Sequence, residues 1–147
     1  MRMIFLVILL VAEVALTFVP IKNVEPELEP YYYKFLSTVY AHCENRQVFA
    51  PNQLTIKFSK GGALGERIIG VCRNRVFSFT IEIDKDYWYR ADESDRLQLM
   101  THELSHCVLG LDHVDNIDNY MSSRLWRLTS DETNAQLEEN LRKLCGR

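Results

Sequence analysis

The chain has 147 residues, of which 47% are hydrophobic and 25% charged, with only 6 glycines and 4 prolines. This is the profile of one ordinary globular domain, and it excludes collagen-like, low-complexity and wholly disordered classes. A formal charge of -3 leaves no basic excess to displace counterions from a phosphate backbone, so nucleic acid is not an expected partner.

Met3 to Pro20 is an apolar run broken only by Glu13, with Arg2 as its positive flank. Residues 1–20 are therefore expected to be an export segment. The run is at the short end for a bilayer span, and the best cleavage candidate, Ala15-Leu16-Thr17, puts Thr at the cut. Cleaved signal peptide and uncleaved signal-anchor both remain open. The expected location is periplasmic or extracellular, either secreted or held at a membrane through residues 3–20. In such a compartment an even set of four cysteines, Cys43, Cys72, Cys107 and Cys145, is expected to form disulfides.

Residues 21–30 are charged and Pro-bearing, and read as a linker to a domain over 31–147. From Tyr31, Phe35, Leu36, Val39 and Cys43 follow helical spacing to about Arg46. Leu54, Ile56 and Phe58 alternate as in a half-buried strand, and a turn at Ser59-Lys60-Gly61-Gly62 leads to an apolar run, Ile68 to Cys72. Cys72-Arg73-Asn74-Arg75 reads as a hairpin connection into the clearest strand, where Phe77, Phe79, Ile81 and Ile83 share a face.

Asp92 and Asp95 resemble a capping box, followed by Leu97, Met100, Leu104, Cys107, Val108 and Leu111 at helical intervals. Residues 113–129 carry little periodicity. Thr129 and Glu132 form a second capping box, and Leu137, Leu141, Leu144 and Cys145 stripe a last helix. The expected fold is α+β: a small mixed sheet with an N-terminal, a central and a C-terminal helix.

Three of the 4 histidines lie in His102-Glu103-Leu104-Ser105-His106-Cys107-Val108-Leu109-Gly110-Leu111-Asp112-His113. His102 and His106, four apart, share a helix face opposite Leu97, Met100 and Leu104, so their rings can converge on one ion. Were the helix to continue, His113 would lie seven residues beyond His106, roughly 10 Å along the axis, too far to share a zinc. Gly110 can take the left-handed conformation that ends a helix and turns the chain back. His113 is then the favoured third ligand, and Asp112 is the alternative, or a partner that orients an imidazole. Three neutral imidazoles leave a fourth position for water, whose proton Glu103 is placed to take as general base and deliver to a leaving amine.

With these residues in view, the sequence resembles the metzincin clan of zinc peptidases, most closely the matrix metalloproteinase type, over roughly Leu54 to Cys145. The resemblance implies zinc held by His102, His106 and His113, a base at Glu103, a helix-ending Gly110, and a methionine turn at Met121 in Asn119-Tyr120-Met121-Ser122. It also likens Ile81 to Trp88 to the clan's sheet-edge strand, which aligns an extended substrate by strand addition. The pattern here has one additional residue between His106 and Gly110. Strict spacing would put Asp112 in the third-ligand position, as in the snapalysin type.

Outside this cluster, His42 reads as a cap or surface residue, and Asp115 and Asp118 as a solvated loop. Tyr87, Trp88 and Tyr89 are expected chiefly to close the core. Cys43 and Cys145 lie on the apolar stripes of the first and last helices and are expected to pair. Elimination leaves Cys72 with Cys107, tying sheet to active-site helix. The expected function is that of an exported zinc endopeptidase acting on a peptide or protein, or alternatively a zinc-bearing, non-catalytic binding module.

Overall fold

The computed structural model describes residues 21–43, 53–65, 67–75, 78–124 and 127–146. The export segment, the end of the first helix towards Arg46, and Phe77 lie outside them. Among the described residues no helix is long and apolar enough to cross a membrane.

Strand β1 (Ile21–Val24) leads into helix α1 (Glu29–His42), followed by β2 (Gln53–Ser59), β3 (Gly70–Arg75) and β4 (Ser78–Asp84). Helices α2 (Lys85–Arg90) and α3 (Glu93–Leu104), a π turn (Ser105–Leu109) and α4 (Ser130–Cys145) complete the order. The sheet runs β1-β2-β4-β3, with β1, β2 and β4 parallel and β3 antiparallel to β4. The architecture is the expected α+β, with a small mixed sheet and helices at the expected places.

Alternation explains the layering. Leu54 and Ile56 of β2 and Ile81 and Ile83 of β4 are fully buried, and they meet Phe35, Leu36 and Val39 of α1, Met100 and Leu104 of α3, and Leu137 and Leu141 of α4 in one core. Both capping positions hold. Asp92 accepts from the Asp95 N–H at 2.9 Å, and Thr129 and Glu132 bond reciprocally at the start of α4.

Four expectations are corrected. Residues 21–30 are not a linker: β1 pairs with β2 from Ile21↔Gln53 to Val24↔Ile56, and Leu28 is buried at the start of α1. A parallel strand of four residues is too short to show a hydrophobic period. Cys72 to Arg75 are not a hairpin connection, because β3 continues through Arg75, paired with Ser78. Its exposed, charged outer half hid it as a strand. Ile81 to Asp84 are not an edge, because β4 has β2 on one side and β3 on the other; the edge is β3. Leu144 is exposed, off the buried stripe of Leu137 and Leu141.

Asp84 anchors the passage from β4 to α2. Its carboxylate accepts from the N–H groups of Tyr87 (2.7 Å) and Gly62 (3.0 Å). The Tyr87 bond holds the carboxyl below its ordinary range despite burial, with Gly62 helping. A depressed folded pKa gives stability that is present above the unfolded value and lost as pH falls through the folded one. Asp84→Ala is expected to cost about 0.5–2 kcal/mol at pH 7. In urea melts, the gap to wild type should narrow below about pH 4, where the unfolded carboxyl protonates; a gap constant from pH 7 to 2 would refute the assignment.

Candidate metal centre

The face of α3 opposite its core contacts carries His102, and the π turn after it carries His106. This turn spans the residues from His106 to Gly110. The N–H of Gly110 bonds the Ser105 carbonyl five residues back, and that of Leu111 bonds the same oxygen at 3.1 Å. One widened turn thus carries the chain from the helix to Gly110. Gly110 then adopts φ 67 and ψ 28, the left-handed conformation expected of it.

The chain doubles back and is held there. The Val114 N–H donates to the Met121 carbonyl at 3.0 Å, and Val114 bridges Ser122. Met121 is buried, its N–H bonded to Asn119 Oδ1 at 2.8 Å. This loop closure returns His113 to the helix. The three Nε2 atoms lie 3.0 Å (His102 to His106), 3.1 Å (His102 to His113) and 3.1 Å (His106 to His113) apart. Asp112 is exposed and lies outside the triad.

These nitrogens fit a metal ion. Two zinc–nitrogen bonds at a tetrahedral angle place their nitrogens about 3.4 Å apart, close to what is seen. The Nδ1 of His102 faces the Tyr120 carbonyl at 2.8 Å and that of His106 the Leu111 carbonyl, so both Nδ1 atoms donate and both Nε2 lone pairs point inward. Convergent lone pairs repel unless a cation lies between them. Burial pushes His102 down to about 4, helped by the neighbouring imidazoles, and lowers His113 also. The His102 and His113 rings are thus held neutral, as ligands must be.

Glu103 lines the same cleft, of about 910 Å³, as the three histidines. It is only 4% exposed. Burial pushes its carboxyl up to about 7, opposed by the nearby Cys72 backbone N–H. A carboxyl poised there can exchange protons near neutrality.

The remaining candidates disperse. His42 Nδ1 bonds the Thr38 carbonyl at 2.9 Å in the last turn of α1, as a cap should. Asp115 and Asp118 are exposed, and no further metal-binding group occurs among the described residues. Of the aromatic trio, Trp88 is buried against Tyr31 and Phe58, Tyr89 is exposed, and Tyr87 lines the cleft. Both expected disulfides are present, Cys43 to Cys145 and Cys72 to Cys107.

Sequence reasoning missed Gly70, which lines the cleft against Glu103, the Cys72 N–H and the carbonyls of Leu111 and Tyr120. Tyr120 is itself clamped, its N–H to Gln136 Oε1 at 2.8 Å and its hydroxyl to Ser105 and Asn140. Backbone groups have no side-chain signature, so only the aromatic residue beside Met121 could have drawn attention to this clamp.

Residues 34–134, more than half of the chain, match the family described as "Putative phage metallopeptidase". No curated protein and no solved structure gives a match. With three convergent imidazoles and a buried carboxyl inside the matched span, the chain belongs to this phage metallopeptidase family, whose members are described as metal-dependent peptidases.

Proposed function

We propose that the chain is an exported zinc endopeptidase with a metzincin-like site, in which His102, His106 and His113 hold the ion and Glu103 is the general base. The observation that carries this is the convergence of three Nε2 atoms within 3.1 Å of one another beside a buried glutamate in one cleft. Three neutral nitrogen ligands are the donor set of a catalytic zinc.

Zinc bound there would acidify a water and polarise the substrate carbonyl. The chain's own residues supply the rest. Glu103 accepts the water's proton and passes it to the departing amine, a task suited to a carboxyl held near 7. The Tyr120 and Leu111 carbonyls orient His102 and His106. The outer edge of β3, beside Glu103 and without a strand neighbour among the described residues, is the side on which an extended peptide could add. Export through residues 1–20 is consistent with two disulfides and no free cysteine among the described residues.

The zinc-loaded protein is expected to cleave casein, to lose this activity with its metal on treatment with 1,10-phenanthroline, and to regain it with added zinc. Undiminished cleavage by demonstrably metal-free protein would refute the proposal. A zinc-loaded protein that cleaves nothing would favour the non-catalytic binding module.

A further inference from the structure

Two disulfides serve this domain, and their surroundings differ. Cys43–Cys145 joins the ends of α1 and α4. Cys72–Cys107 joins the edge strand β3 to the π turn, at the residue directly after His106.

Around the second bridge β3 presses on Glu103. A Cβ added at Gly70 would lie 2.7 Å from Glu103 Oε1, 3.0 Å from its Cγ and 2.8 Å from Leu99 Cδ1. The Cys72 backbone N–H faces the same carboxylate and favours its ionised form. The phase of the ladder explains why this N–H is free to do so. The Asp84 N–H bonds the Ile69 carbonyl at 2.8 Å, which makes Ile69 and Asp84 a hydrogen-bonded pair. Alternation along an antiparallel pair then turns the N–H groups of Gly70 and Cys72 away from β4. Among the described residues β3 has a strand neighbour on one side only. On its outer side, the covalent tie to the helical layer is the Cys72–Cys107 bond.

We propose that this disulfide is a redox-sensitive latch that holds β3 against Glu103, with Gly70 and Cys72 as positioning residues for the base. The inference rests on the assignment of Glu103 as general base. A dithiol reductant breaks the S–S bond: two electrons and two protons yield thiols at Cys72 and Cys107, and the dithiol becomes a disulfide. β3 then separates more readily from α3, the Cys72 N–H leaves the carboxylate, and proton transfer slows. The imidazoles, held by the Tyr120 and Leu111 carbonyls, keep the ion.

The test compares the zinc-loaded wild type, oxidised and reduced by dithiothreitol, with Cys72→Ala/Cys107→Ala, Cys43→Ala/Cys145→Ala and Gly70→Ala. All are assayed well below their melting temperatures. Reduction, the Cys72/Cys107 variant and Gly70→Ala should each lower kcat about tenfold or more, the scale of a base misplaced by a fraction of an ångström. Zinc content should stay at one ion per chain, and amide exchange in residues 69–75 should quicken on reduction or loss of the Cys72–Cys107 bridge. Cys43→Ala/Cys145→Ala should melt lower with kcat unchanged, and reoxidation of the wild type should restore its rate.

Unchanged kcat in both the Cys72/Cys107 variant and Gly70→Ala overturns the latch and leaves the peptidase assignment standing. Loss of zinc together with activity on reduction also overturns it, since the bridge would then support the ligands and not the base. An oxidised, zinc-loaded wild type without hydrolysis overturns the assignment of the site and the latch with it.

Discussion

Glu103→Gln is expected to lower kcat by about 10²–10⁴-fold while the protein keeps its zinc. The amide fills the space against Gly70 and Leu99 but cannot take a proton. The same substitution should raise the stability of the metal-free protein at alkaline pH. Burial raises the folded carboxyl from 4.5 to about 7, so the native state binds more protons than the unfolded one between these values. Stability is then lost as pH rises through that window, and the ionised form costs at most roughly 3 kcal/mol. In calorimetry of the metal-free forms, the variant's advantage should be absent near pH 4 and full above pH 8. Retained activity at full zinc content would remove Glu103 from the base role, and an advantage that shrinks as pH rises would contradict the burial argument.

The second large effect concerns the third ligand. His113→Ala is expected to lower zinc affinity by more than about 100-fold, whereas Asp112→Ala should cost about tenfold or less. His113 Nε2 lies 3.1 Å from both other nitrogens, while Asp112 lies outside this cluster and acts on His113 through its charge. Competition with a chromophoric chelator measures both. Should Asp112→Ala release the metal and His113→Ala retain it, the aspartate would be the ligand and the snapalysin-like arrangement would apply. A deletion of Val108 or Leu109, shortening the motif by one residue, should by the same geometry displace His113 and weaken binding.

Local backbone periodicity made part of this protein legible in the chain itself. Four-residue spacing puts His102 and His106 on one helix face whatever surrounds them. A two-residue period gives β4 its buried Ile81 and Ile83, and Asp92 and Thr129 start their helices through bonds three residues away. Even the disulfides were legible, because each cysteine of the Cys43–Cys145 pair lies on a helix stripe that must face the core. Gly110 marked where the helix must end, since few other residues accept a positive φ.

The tertiary structure alone decided which backbones lie side by side. That the His113 ring meets those of His102 and His106 depends on the Val114 bond to Met121 and on the π turn before Gly110. β1 was invisible because a short parallel strand is defined by its partner and not by its own pattern. The edge passed from β4 to β3 because strand order is a long-range property. Gly70, the Cys72 N–H and the Tyr120 carbonyl surround the site through groups that every residue, or a residue with no side chain, presents alike. Only their positions in space distinguish them.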